Sequence, residues 1–215
     1  MRLNKIEIVA DRGHFKIPMR SQIQGTYLIP PISTVVGILQ NLYGEEIDDF
    51  TLGYIIEYQG VHKEIENVVK EINTNVKKLT DSKRFITTPA TFEYLIEPRL
   101  VIYTDIDKPL ELKSVLNLGK TNCLAKLTEI KEVELMDQEG KGFNQYVSMN
   151  LVDYGMPKRI NTLTKYNEHK GYYDIFSEVV VESEEFDFDK YYDAEEEQNI
   201  FLWKWNKGGI LNELS

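Results

Sequence analysis

The order of apolar patterns between residues 3 and 135 constrains this chain more than any other feature. "LNKIEIVA" (3–10) concentrates β-branched residues, with Ile6, Ile8 and Ala10 on one face, and predicts a strand. In "YLIPPISTVVGILQNLYG" (27–44), Pro30 and Pro31 hold the approach to a helix extended. Ser33 is placed to cap its first turn and Gly44 to stop it. "TLGYIIEY" (51–58), "PRLVIYTD" (98–105) and "AKLTEIKEVEL" (125–135) read as strands, and "KPLELKSVLNLG" (108–119) as a short helix. The sum is β-α-β-(insertion)-β-α-β, which predicts an α+β fold with a ferredoxin-like core. The RNA-recognition fold shares that order and meets its ligand on one sheet face. Order alone does not assign a function.

The insertion, roughly 60–97, fits two structures. Val61, Ile65, Val68, Val69, Ile72 and Val76 keep helical spacing, yet all are β-branched and suit a long hairpin arm. After Leu135, "MDQEGKGFNQ" reads as a loop, "YVSMNLVDYG" (146–155) as a strand, and "NIFLWKWN" (199–206) as an alternating strand closing a small sheet. The expected division is therefore a core over 1–136 and a small acidic, β-rich part over 137–215. No linker or repeat separates them, so the two should pack together.

With 42% hydrophobic residues the 215-residue chain can bury a substantial core. Its apolar runs fall short of the roughly 18 to 20 residues that cross a bilayer. The first residues carry charge where a signal peptide needs an apolar stretch. A single cysteine, Cys123, excludes an internal disulfide and a cysteine-cluster metal site. The expectation is a cytoplasmic protein with no membrane partner, metal or cofactor.

Net charge is −10, but it is unevenly spread. Residues 1–131 hold 17 basic and 17 acidic side chains, whereas residues 132–215 hold 8 and 18. Eleven acids and one lysine fall within 174–198. Such a segment repels a phosphate backbone, so any nucleic acid should meet the first two-thirds of the chain. The acidic stretch itself fits a solvated surface or a docking face for a basic neighbour.

Three stretches together resemble the CRISPR-associated protein family five, in its type I-B flavour. They are "YLIPPISTVVGIL" with its Ser-Thr-x-x-Gly helix, "TTPATFEYLIEPRLVIYTD" leading into the third core strand, and "LKSVLNLGKTNCLAKLTEI" with its Leu-Gly-basic-small turn. The resemblance covers most of 25–130 and does not extend to the C-terminal third. It implies a subunit of the Cascade surveillance complex that holds the 5′ handle of the CRISPR RNA beside a backbone subunit and a large subunit. It also implies a protruding thumb hairpin at the insertion.

The candidate RNA-binding residues follow. Ser33 and Thr34 add hydroxyls to a helix start, whose free N–H groups suit a phosphate; ordinary capping explains them equally. Gly37 lets either a strand or an RNA backbone come close. Gly119 and Lys120 form a glycine turn that fits a phosphate cradle or plain turn chemistry. His14, Lys16 and Arg20 sit in the loop after the first strand. Lys83 and Arg84, next to Phe85, offer cations beside a stacking ring on the insertion.

One branch of the family is a metal-independent ribonuclease, which needs a base, an acid and a cation at the phosphate. The chain has three histidines, His14, His62 and His169, and no motif of that branch. A Tyr58-His62-Lys63 grouping is the nearest approach. The expectation is a non-catalytic protein, with an endoribonuclease, or a protein-docking module without RNA contact, as the alternatives.

Overall fold

Strands built on β-branched residues dominate the computed structural model, which describes residues 1–18, 23–72, 85–152, 154–167, 172–206 and 210–213. In chain order the elements are β1 (Arg2–Ala10), β2 (Arg12–Gly13), β3 (Ile23–Gln24), α1 (Ile32–Tyr43), β4 (Phe50–Glu57), β5 (Gly60–Ile72), β6 (Phe85–Ile96), β7 (Arg99–Thr104) and β8 (Ala125–Glu134). Then follow β9 (Gly140–Val147), β10 (Met156–Asn167), β11 (Tyr172–Phe188), β12 (Tyr192–Asp193), β13 (Gln198–Asn199), β14 (Trp203–Asn206) and β15 (Ile210–Glu213). The architecture is α+β: mostly β-sheet, with one helix among the described residues.

The principal sheet runs β15-β14-β4-β7-β1-β8. Strand β1 pairs antiparallel with both β7 and β8, and β7 pairs antiparallel with β4. The strands β4, β7, β1 and β8 are thus consecutive neighbours in this sheet. Alternation sorts their side chains. Ile6, Ile8, Leu52, Tyr54, Ile56, Leu100 and Ile102 join Val35, Leu39 and Leu42 of α1 in one core. Leu3, Ile55, Val101 and Tyr103 point to the opposite face.

That opposite face is not open. Tyr191, Ile200 and Leu202 from the C-terminal part pack on it, with Leu135. Gly53 in β4 makes room, since a Cβ there would lie 2.5 Å from Leu202 and 2.8 Å from Ile200. Burial on both faces explains why β7 reads as a continuous apolar run. The RNA-recognition comparison offered a bare sheet face; here a strap of the chain's own residues covers it.

The second helix expected over 108–119 does not form. Glu111 N–H donates to the Leu42 carbonyl at 2.9 Å, and Lys113 N–H to the Asn41 carbonyl at 2.9 Å. These are carbonyls of the last turn of α1, which a helix end otherwise leaves without partners. The segment satisfies them as an irregular run outside helix and strand. Gly44 ends α1 in the left-handed region (φ 74°), as the sequence suggested.

Over its described residues, 60–72 and 85–96, the insertion is strand; Val76 lies outside the described residues. β5 and β6 pair antiparallel from Gly60–Ile96 to Ile72–Phe85, with one bulge. Only the β6 side is flanked further, by β2 and β3 at its base. Most of β5 is exposed, as an arm leaving the body would be.

The C-terminal part differs from expectation in two places. "YVSMNLVDYG" is not a strand throughout: β9 begins at Gly140, inside the expected loop, and ends at Val147. "NIFLWKWN" does not close a small sheet of its own. Trp203 and Trp205 pair with Leu52 and Phe50, so β14 extends the principal sheet beyond β4. A separate three-stranded sheet, β10-β11-β9, and a two-stranded one, β12-β13, carry the rest.

Candidate functional site

The Pro-Pro approach to α1 is fixed from two sides. Tyr54 O–H donates to the Pro30 carbonyl at 2.7 Å, and Tyr146 O–H to the Ile29 carbonyl at 2.9 Å. Burial of these rings raises both phenol pKa values, so both stay protonated as donors. The N-cap is Pro31, not Ser33, and no side chain caps the helix. The amides of Thr34 and Val35 instead turn back to the Pro31 carbonyl, at 2.8 and 3.2 Å. Ser33 therefore sits inside the first turn, half-buried.

Thr34, Gly37 and Asn41 present one side of α1 to the run Ser114–Asn117 and Gly119, and a groove of about 220 Å³ lies between. Beyond its chain neighbours and the backbone of its own helix, no heavy atom comes within 4 Å of a Cβ built on Gly37. No strand uses the space that glycine leaves, so the groove is open along the helix at that point. Asn41 ties the two walls: its Oδ1 accepts from the Ser114 N–H and hydroxyl, both at 2.8 Å. Lys113, next to Ser114, is exposed and makes no ion pair among the described residues. Asn41, Lys113, Ser114 and Asn117 were not singled out in the sequence. Reading 108–119 as a helix hid them, although the Asn/Ser/Gly content of "KSVLNLG" was a loop signal.

The glycine turn closes one end of this groove. Leu118 N–H donates to the Cys123 carbonyl and Cys123 N–H to the Lys120 carbonyl, each at 2.9 Å. Gly119 has φ 88°, and a Cβ there would lie 2.0 Å from the His14 carbonyl oxygen. Close approach of two backbone segments thus demands glycine. His14 N–H donates to the Leu118 carbonyl at 3.0 Å, holding the loop after β1 against the turn.

Lys120 reaches away from the groove toward the base of the β5–β6 arm. Its Nζ lies 2.6 Å from Glu66, 2.8 Å from the Tyr94 hydroxyl and 3.7 Å from the Phe92 ring centroid. Tyr94 also donates to Glu66. Burial, the largest influence, pulls the Lys120 pKa down, but the bonds to Glu66 and Tyr94 outweigh it and the net shift is upward. Arg12 lies over the other aromatic ring, 4.9 Å from the Tyr94 centroid, and pairs with Glu64 at 3.0 Å. Cation–π and ion-pair bonds therefore engage both cations within the chain.

His14 is 3% exposed, between Phe92 and Tyr94 at ring distances of 5.7 and 5.5 Å. Its Nδ1 lies 2.7 Å from the Glu93 carbonyl, which accepts only, so Nδ1 carries the proton. Burial, the main cause, pushes its pKa down and keeps the ring neutral. Nε2 is buried without a hydrogen-bond partner among the described residues. Lys16, in contrast, is exposed, and its backbone bridges to Thr26. Lys63 pairs with Glu93 at 3.4 Å.

The structure thus gathers His14, Gly119 and Lys120 into one cluster, and places Thr34 across the groove from Gly119. Arg20, Lys83, Arg84 and His169 lie outside the described residues. Among the described residues no group of three or more His, Cys, Asp or Glu side chains is arranged to hold a metal. No helix among them is long and apolar enough to cross a membrane.

The acidic stretch is divided. Lys5, 2% exposed on β1, lies 2.7 Å from Asp193, 2.9 Å from Glu195 and 2.8 Å from Glu196. Tyr103 O–H donates to Asp193 at 2.6 Å. Arg99 grips both oxygens of Glu196, at 2.7 and 2.8 Å. Lys131 adds a bond to Glu195 at 2.8 Å. These acids serve to hold the strap on the sheet. Read from sequence as a solvated surface or a docking face for a basic neighbour, the acidic stretch is instead paired within the chain at Asp193, Glu195 and Glu196.

No family model matches the chain, and no curated protein matches its sequence. Solved structures do align with it. A chain of the type III-B Cmr-beta complex, determined bound to cognate target RNA and AMPPnP, aligns with TM-score 0.54 and 12% identity over 86% of each chain. A chain of a CRISPR RNA-guided surveillance complex aligns with TM-score 0.49 and 10% identity, over 84% of this chain and 90% of that one. A CRISPR protein from Archaeoglobus fulgidus aligns with TM-score 0.39 and 11% identity over the whole of both. At such identities the likeness to the Cmr-beta chain is one of fold. The class so defined is a β-rich α+β chain whose helix start and glycine turn face each other across a groove.

Proposed function

We propose that this chain is a non-catalytic subunit of a CRISPR interference complex, of the CRISPR-associated family five, that holds the 5′ handle of a CRISPR RNA. In this reading β1, β4, β7 and β8 are a ferredoxin-like core without its second helix, and β5–β6 is the thumb. A backbone subunit and a large subunit enclose the same RNA, and the assembly works in the cytoplasm. The observation that carries the reading is convergence. The three stretches that resemble the family lie far apart in sequence, yet Thr34 and Gly37 of the first and Gly119 of the third line one groove. Phe92 and Tyr94 of the second clamp the lysine next to that glycine. The open space at Gly37 suits a sugar-phosphate backbone passing close to a helix. Enclosure of the His14 ring supports a binding role over a ribonuclease one, because its free nitrogen faces no open surface. Since Lys120 and Arg12 are engaged within the chain, few phosphates are neutralised and retention depends on neighbouring subunits.

The test is Gly37→Glu in the assembled complex, purified from cells carrying the repeat array. Glutamate is a better helix former than glycine, so folding should not suffer. Its carboxylate would occupy the groove and repel phosphate. The complex should carry a discrete small RNA with one 5′ end, and the variant should retain at least several-fold less of it. Unchanged retention, or a complex without RNA, defeats the proposal.

A further inference from the structure

Among the acids of 174–198 that Lys5, Arg99 and Lys131 do not consume are those of β11. Glu182, Glu184 and Glu185 form one wall of a second groove, about 820 Å³, far larger than the one beside α1. Its remaining lining includes Leu28, Tyr154, Met156 and Lys158. Pairing of Met156 with Glu182 and of Lys158 with Val180 brings the two strands of this wall together. Lys158 is neutralised by Glu182 and stands 6.0 Å from the Tyr27 ring. Glu185 is paired with Lys141. Glu184 is exposed and makes no ion pair among the described residues.

The apolar members are as telling as the acids. Tyr154 is 60% exposed, Met156 63% and Leu28 40%. An aromatic ring, a methionine and a leucine gathered at the mouth of one groove form the kind of patch that marks a contact surface. Their neighbours exclude one partner class, because phosphates brought within a Debye length of these carboxylates, about 8 to 10 Å, are repelled. A second copy is disfavoured for the same reason, as each chain carries −10.

We propose that this groove docks a protein partner through a segment that alternates arginine with apolar side chains. Arginine suits both features: its guanidinium pairs with Glu184 and stacks on Tyr154, while the apolar neighbour covers Met156 and Leu28. The interface is independent of where RNA is held, since the groove beside α1 shares none of its residues with this one.

The test uses the full chain and a fluorescent twelve-residue peptide alternating arginine and leucine, read by anisotropy. Twelve-nucleotide oligouridine and a glutamate-for-arginine peptide serve as comparators. Glu184→Lys, and separately Tyr154→Ser/Met156→Ser, should each weaken the arginine peptide at least tenfold. Glu134→Lys, the same charge change at an exposed position on β8, should change it less than twofold. All three alter exposed side chains, and thermal melting checks that each variant folds. The proposal is overturned if Glu134→Lys and Glu184→Lys act equally, if the Tyr154/Met156 variant binds as the parent does, or if oligouridine displaces the peptide. A dimer in sedimentation that is lost in Tyr154→Ser/Met156→Ser also overturns it, by naming a second copy as the occupant. RNA retention in the Gly37→Glu experiment is expected to be unaffected by these variants, so the two proposals fail separately.

Discussion

The Nζ of Lys5 lies 2.7 Å from Oδ2 of Asp193, 188 residues further along the chain. This one ion pair joins the first strand to the strap that covers the outer sheet face. Burial, the largest influence, lowers the lysine pKa, but bonds to Asp193, Glu196 and Glu195 more than offset it, so Lys5 stays charged in the interior.

Lys5→Met should therefore be strongly destabilising. It leaves Asp193 buried and deprived of its cation, a situation that typically costs about 3–5 kcal/mol. Chemical denaturation should show the loss, and Lys5→Met combined with Asp193→Leu should recover part of it. Equal stability of the Lys5→Met chain and the parent would mean that the strap is held by its apolar residues alone.

The same network predicts acid sensitivity. The Arg99 bonds hold the Glu196 carboxyl down at about 2, against 4.5 for a free glutamate. As pH falls below 4.5 the unfolded chain takes up this proton first, so the stabilisation is present above that pH and is lost as pH approaches 2. The loss is on the order of 3 kcal/mol from this group. Urea midpoints measured from pH 6 to pH 2 should fall more steeply for the parent than for Glu196→Gln.

Ser33→Ala tests the helix start. Removing a serine N-cap usually costs about 1 kcal/mol. Because Pro31 occupies the cap position, alanine at 33 should be neutral or slightly stabilising, within about 0.5 kcal/mol. A loss of 1 kcal/mol in thermal or urea melts would restore the capping role.

Gly119→Ala and Lys120→Met should separate turn geometry from charge. The alanine Cβ would collide with the His14 carbonyl and sit at positive φ, so the His14–Gly119 bridge should open, with a melting point lower by several degrees. Lys120→Met keeps the packing on Phe92 and removes the bonds to Glu66 and Tyr94, at a smaller cost of about 1 kcal/mol. A larger effect at 120 than at 119 would reverse these roles.

Local patterning and turn chemistry placed β1, β4, β7 and β8 and the helix ending at Gly44. Those features depend on residues near one another, where alternation and turn chemistry act directly. Tertiary partners decided the rest. The 108–119 run had helical texture, but the free carbonyls of Asn41 and Leu42 claimed its amides. Ser33 had the chemistry of a cap, but two tyrosines, Tyr54 and Tyr146, fixed the chain so that Pro31 held the position. The acidic stretch looked uniform because sequence gives charge without partners. Lys5, Arg99 and Lys131 lie on distant strands, and only folding shows that they neutralise Asp193, Glu195 and Glu196 while Glu184 stays free of an ion pair among the described residues. Pairings across the fold connect residues as far apart as Lys5 and Glu196, and no window of sequence contains both members.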